Sequence, residues 1–211
     1  MQRRPDRPVR PLAVRTLGEV PYGPTWEAMQ TFTAERTPAH ADELWLVEHP
    51  SVYTRGRNAR EKPPAGPIPT VDTDRGGDLT YHGPGQLIAY TLFDLNALGM
   101  GVRQLVDGLE EAVLVTLASF GIQGERRPGA PGVYVKGAKI ASLGLRIRGG
   151  RSYHGLSLNV AMDLEPFARI APCGYQGLRV TQIADHGGPR RIDSVAPVLV
   201  EAVSATFHFH R

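Results

Sequence analysis

The stretch GVYVKGAKIASLGLRIRGGRSYHGLSLNV, residues 132–160, leaves the chain few ways to fold. Apolar, β-rich runs are separated by Lys136-Gly137 and Gly149-Gly150. A two-residue connection containing glycine joins only neighbouring antiparallel strands, because a parallel return needs about a dozen residues. The block therefore predicts consecutive hairpins.

The segments around it supply further strands and three helices. LAVRTLG and DELWLVEHP read as strands, the second stopped by Pro50, and QLIAYTLFDL alternates as a strand should and is expected to be buried. GPTWEAMQTFTAER reads as a helix opening with Pro24 and Thr25. In VRQLVDGLEEAVLVTLASFG, residues Leu105, Leu109, Val113, Leu117 and Phe120 fall near helical spacing and Gly121 ends the helix. DSVAPVLVEAVSATFHF is expected as a C-terminal helix capped by Asp193 or Ser194. SVYTRGRNAREKPPAGPIP reads as a loop, and LEPFARIAPCG as a short irregular or 3₁₀ connection. Strands in a run with helices before and after predict an α+β domain with a mixed or antiparallel sheet. At 211 residues there is room for one such domain. Residues 1–11 are expected as a flexible basic N-terminal arm and residues 12–211 as the domain.

Composition narrows the function classes. MQRRPDRPVRPLAV lacks the apolar core of a secretory signal, and no apolar run approaches the roughly 20 residues of a membrane span. The lone cysteine, Cys173, excludes an internal disulfide and a cysteine-based zinc cluster, and points to a reducing cytoplasm. A net charge of +3 suits acidic partners, although on charge alone an arginine-rich genome or a heat-adapted protein is the readier explanation. No basic block with interleaved aromatics suggests nucleic acid.

The candidate chemistry is spread along the chain. RGGDLTYHGPGQLIAY, residues 75–90, crowds four glycines, Arg75 and His82 ahead of an apolar run. It is neither a dinucleotide fingerprint nor a P-loop. A single cysteine is most often an inert core residue, but Cys173 stands between Pro172 and Gly174 in a connection that can present a sulfur. Lys139 lies on an apolar strand between Ala138 and Ile140, where burial is expected; beside a thiol, it would stabilise the thiolate. His82 and His154, both in Tyr-His-Gly, read either as satisfied structural residues or as the base of a Cys/His pair. Neither has further ligands spaced for a metal.

RGGDLTYHGPGQLIAY, GAKIASLGLRI, SYHGLSLNV and APCG occur in that order, and together they resemble the motifs of the lipoyl(octanoyl) transferases. The likeness runs from about Leu12 to the C-terminus. It implies a single α+β domain like that of the biotin and lipoate–protein ligases, with residues 12–211 as the catalytic domain. By the same resemblance, Cys173 is the acyl-thioester nucleophile and Lys139 its dyad partner. Arg75, Gly76, Gly77, Asp78, Leu79, Thr80, Tyr81 and His82 would line the acyl pocket with Ser142, Leu143, Gly144, Gly155, Leu156 and Ser157, while Gln86 and His154 would support it. The implied donor is octanoyl-acyl carrier protein. The implied acceptors are lysines on lipoyl domains of 2-oxoacid dehydrogenase E2 subunits and on the glycine cleavage H protein, with no ATP, cofactor or metal. Tyr175 after PCG and VTQI at residues 180–183 depart from the usual pattern without touching the dyad. Two rival readings are an ATP-dependent lipoate or biotin ligase and a non-catalytic module that binds lipoyl domains.

Overall fold

Both glycine turns of the central block have positive φ at each position: 48° and 81° at Lys136-Gly137, 55° and 77° at Gly149-Gly150. That is the signature of a type I′ turn, whose twist matches the strands it joins. They are seen in a computed structural model that describes residues 10–60, 62–170 and 179–210. Cys173 and Tyr175 lie outside the described residues, as does most of the N-terminal arm.

In chain order the elements are β1 Arg10–Glu19, α1 Tyr22–Glu35, β2 Asp42–Glu48, β3 Val52–Arg55, β4 Thr70–Asp72, β5 Leu79–His82, β6 Gln86–Leu92, α2 Val102–Ser119, β7 Glu125–Arg126, β8 Val133–Val135, β9 Ala138–Arg148, β10 Arg151–Asn159, α3 Glu165–Ala168, α4 Ile192–Phe207 and β11 Phe209–His210. A 3₁₀ turn covers Ile183–His186. An eight-stranded sheet runs β11-β1-β2-β6-β10-β9-β8-β7, and a separate three-stranded sheet runs β4-β3-β5. Within the large sheet β1 pairs in parallel with β2 and β11, and the other pairings are antiparallel. The fold is thus the α+β type with a mixed sheet.

Side-chain alternation divides the large sheet into two working faces. Leu44, Leu46, Leu87 and Ala89 join Leu105, Leu109 and Val113 of α2 and Val195, Leu199 and Val203 of α4 in the main core. Trp45, Val47, Ile88 and Tyr90 face the other way and meet Met29 of α1. Because both faces are covered, every residue of β6 is buried, as expected of the strand that follows the glycine-rich segment. The buried Arg36 guanidinium pins the start of the sheet: it bonds Asp42 Oδ1 at 2.8 Å and the Leu92 carbonyl at 2.7 Å.

Three local expectations change. Residues 52–55, read as the start of a loop, form β3, and LTYH forms β5. These short strands pair with each other, and Tyr53, Leu79 and Tyr81 pack on Phe167 and Ile170 beside α3. The C-terminal helix starts at Ile192 with Arg191 at the cap position, two or three residues before the expected cap, and has no side-chain cap. Asp193 sits inside the first turn, favourable to the helix dipole, and pairs with the exposed Arg191 at 2.9 Å. Finally, Arg10 and Pro11 belong to β1. No helix among the described residues is long and apolar enough to cross a membrane.

Candidate active site

The glycine-rich segment lies across the free edge of β9, beyond the point where β8 ends. Gly76 N–H donates to the Leu145 carbonyl at 2.8 Å. A Cβ on Gly76 would stand 3.1 Å from that carbonyl, a tight contact that the glycine avoids. Gly77 turns the chain with φ +86°. Arg75 holds the turn from inside. Its guanidinium donates to Thr54 Oγ1 at 2.9 Å, to the Thr54 carbonyl, to the Asp78 carbonyl at 2.6 Å and to the Gly76 carbonyl at 3.0 Å. A delocalised cation with several N–H groups is suited to gathering carbonyls in this way.

Between this loop with β5 and the α1-facing side of the large sheet lies a cavity with about 510 Å³ of empty space, its mouth included. Arg75, Gly77, Asp78, Leu79, Thr80 and His82 form one wall; Ser142, Leu143, Gly144, Gly155, Leu156 and Ser157 form the other. The register explains the second wall, because β9 and β10 place Ser142 opposite Ser157 and Gly144 opposite Gly155. Small residues there leave room above the sheet. Tyr22, Ile88, Tyr90 and His154 complete the lining.

Beneath the cavity is a set of neutral, mutually bonded rings. His154 occupies φ 58° in the middle of β10, a left-handed conformation sparsely populated by residues with a Cβ. Its Nε2 donates to Asp74 Oδ1 at 2.9 Å, and Nδ1 stands 3.4 Å from the Tyr22 hydroxyl. Asp74 also accepts from Trp26 Nε1 at 2.9 Å and from the Tyr153 hydroxyl. Burial works to raise the Asp74 pKa, but the bonds from His154, Tyr153 and Trp26 outweigh it and hold the carboxyl well below the usual range. His49 Nε2 accepts from the Tyr90 hydroxyl at 2.6 Å while its Nδ1 donates to the Val20 carbonyl at 2.6 Å. Burial, then the neighbouring His49, pushes His82 down to about 3. Burial likewise lowers His49 and His154, and it raises Tyr22 to about 12. The rings are therefore uncharged at neutral pH.

Lys139 lies in an adjoining cavity, which shares Gly77, Asp78, Leu143 and Gly144 with the first. The residue is only 3% exposed. Its Nζ donates to the Pro131 carbonyl at 3.1 Å and stands 5.3 Å from the Tyr134 ring centroid. The backbone of Lys139 is bracketed by residues 179–181: its N–H donates to the Arg179 carbonyl at 2.8 Å, and its carbonyl accepts from Thr181 N–H at 2.9 Å. Since the Leu145 carbonyl faces the free edge of β9, ladder alternation turns the Leu143 N–H to that same edge, into the shared wall.

The fold thus gathers most of the residues singled out in the sequence. Gly76 borders the Lys139 cavity, and Tyr81 points away, its hydroxyl bonded to Ser51 at 2.9 Å and its ring edge-on to Phe167. Gln86 lies behind His82 rather than in the wall, its Oε1 accepting from His82 Nδ1 at 2.7 Å. Tyr22, His49 and Asp74 carry the floor from outside the quoted motifs, and Tyr90, at the end of the 75–90 motif, joins them without having been singled out. Among the described residues no three His, Cys, Asp or Glu side chains converge as a metal-ligand set.

Residues 21–204 match the lipoyl protein ligase A/B catalytic domain. The chain belongs to this family. An octanoyltransferase of Pseudomonas putida (strain W619) is 58% identical over 186 residues, covering 87% of this chain and 86% of the relative. An octanoyltransferase of Xylella fastidiosa (strain 9a5c) is 54% identical over 207 residues, covering 97% of this chain and 90% of the relative. Among solved structures, the bi-partite lipoate protein ligase of Thermoplasma acidophilum superposes with a TM-score of 0.75, covering 95% of this chain and 85% of that one. At 19% identity it establishes the lipoyl protein ligase fold alone.

Proposed function

We propose that this chain is an octanoyltransferase that carries its acyl group on Cys173 between octanoyl-acyl carrier protein and a lysine of a lipoyl domain. The observation that carries the mechanism is the buried Lys139 side chain in a cavity whose wall is shared with the cavity between β5 and the large sheet. Relatives more than half identical over most of the chain, named octanoyltransferases, support the reaction class.

In the first half-reaction the Cys173 thiolate attacks the donor carbonyl. The carbon–sulfur bond to the carrier breaks, and the departing thiolate takes a proton from Lys139 and leaves as the carrier's thiol. One thioester replaces another, so no nucleotide enters the balance. In the second half-reaction the acceptor lysine amine attacks the enzyme thioester, the bond to Cys173 breaks, and Lys139, now neutral, takes the amine proton. Amide formation draws this step forward. The Leu143 N–H, turned to the free edge of β9, is assigned to the developing oxyanion in both steps. The octanoyl chain occupies the cavity between β5 and the large sheet. The uncharged rings beneath it present no charge to the alkyl chain from the floor.

E2 lipoyl domains and the glycine cleavage H protein are the assigned acceptors, and cofactor and metal are absent from the scheme. The test is intact mass after incubation with octanoyl-acyl carrier protein and no nucleotide. An added octanoyl group on Cys173, transferred onward to a lipoyl domain, is the expected result. Labelling that requires ATP would favour a ligase. Turnover surviving in Cys173→Ser, with no adduct on the cysteine, would overturn the thioester mechanism.

A further inference from the structure

A directed line of hydrogen bonds connects the acyl cavity to the backbone beside Lys139. His82 Nδ1 lies 2.7 Å from Gln86 Oε1, and Gln86 Nε2 donates to Asn159 Oδ1 at 2.9 Å. Asn159 Nδ2 donates to the Thr181 carbonyl at 2.9 Å, and Thr181 N–H donates to the Lys139 carbonyl at 2.9 Å. Each amide oxygen accepts from one side while its nitrogen donates to the other, so the pattern fixes both amide orientations and puts the His82 proton on Nδ1. Gln86, Asn159, His82 and Thr181 are all buried, where water offers no alternative partner. Gln86 and Asn159 face each other directly, one opening β6 and the other closing β10.

The line terminates where position matters most for the proposed chemistry. Residues 179–181 form a parallel bridge along Lys139, beside the end of β9 that carries the ammonium. In the sequence Cys173 precedes Arg179 by only a few residues. The cavity wall at His82 and the strand carrying Lys139 belong to different sheets; the His82–Gln86 bond crosses from one to the other, and the Gln86–Asn159 amide pair carries the line from β6 to β10 within the large sheet.

We infer that Gln86 and Asn159 are positioning residues, an amide pair that ties the acyl-cavity wall at His82 to residues 179–181 and so sets the register of the Lys139 strand for acyl transfer. The inference rests on the octanoyltransferase reading. Neither side chain touches the reacting atoms; both act through the backbone at Thr181 and the ring of His82.

The test compares wild type with Asn159→Asp and Asn159→Ala in single-turnover acylation by octanoyl-acyl carrier protein, followed by mass. Asn159→Asp is nearly isosteric and keeps an acceptor for Gln86, but loses the N–H donated to Thr181. A displacement of about 1 Å at a reacting group can cost roughly 100-fold. Both variants are therefore expected to lose acylation rate by that order, with KM for the donor within about threefold of wild type. Histidine ¹⁵N NMR is expected to show His82 protonated on Nδ1 in wild type and a mixture of tautomers in Asn159→Ala. Variants that acylate at the wild-type rate, or lose activity only through KM or only in proportion to the unfolded fraction, would overturn the inference. A wild-type protein that takes no octanoyl group at all would instead overturn the function proposed above.

Discussion

His154 Nε2 stands 2.9 Å from Asp74 Oδ1, joining residues 80 apart in the chain. The contact requires a left-handed backbone at His154 and gathers Trp26, Tyr153 and Tyr22 into one arrangement. It couples β10, α1 and the segment before the glycine loop, so the cavity floor depends on one carboxylate.

Asp74→Asn halves the acceptor oxygens and points an N–H group at side chains that are themselves donors. The expected loss is about 1–3 kcal/mol, the usual cost of leaving a largely buried polar group unpaired. A lower urea midpoint with unchanged slope is the measurement that checks it. The carboxyl pKa is depressed in the folded chain, so its stabilisation is present above the unfolded value near 3.8 and is lost as pH falls below it. The variant therefore lacks that acid-side loss.

The buried histidines predict a second, separate pH window. His82 falls from 6.5 unfolded to about 3 folded, so between those values the unfolded chain binds a proton that the folded chain does not. Stability is full above pH 6.5 and declines on acidification by about 1.4 kcal/mol per pH unit for this one group. His49 and His154, also lowered, act with the same sign. His82→Asn should flatten the decline between pH 6 and 4 in urea titrations, and an equally steep decline would refute the assignment.

Lys139→Met keeps an unbranched side chain in a buried position and removes the charge. Folding is expected to survive, with unchanged far-ultraviolet circular dichroism, while acyl transfer falls by about 10²–10⁴, the range typical of a lost proton-transfer group. Lys139→Arg keeps the charge but holds its proton at ordinary pH, and should be similarly impaired. Rapid-quench rates of thioester formation separate the variants from wild type.

Acyl length gives a direct measure of the cavity. Each buried methylene contributes about 0.8 kcal/mol, so hexanoyl should react with a kcat/KM roughly tenfold below octanoyl. Ser142→Leu, which adds carbon to the wall between the strands, should reverse that preference. Competition between hexanoyl and octanoyl carrier protein, read by mass, gives the ratio in a single tube.

Much of this was legible locally. The hairpins at Lys136-Gly137 and Gly149-Gly150 and the burial of Lys139 follow from turn chemistry and apolar context within a dozen residues. β3 and β5 did not, because such short strands are stable only through each other and through packing beside α3. Asn159 carried no signal either, since its partners Gln86 and Thr181 lie 73 and 22 residues away. Arg75 was conspicuous for its charge, yet its guanidinium is occupied with the carbonyls of Thr54, Gly76 and Asp78, which no spacing rule reveals.

The separation of the two sheets has a mechanical consequence. One jaw of the acyl cavity is built on the β4-β3-β5 ladder and the other on the eight-stranded ladder. The two jaws therefore share no ladder: they meet through side chains, such as His82 on Gln86, and through the Gly76–Leu145 backbone bond at the rim, so the width of the cavity is set by those contacts rather than by either frame.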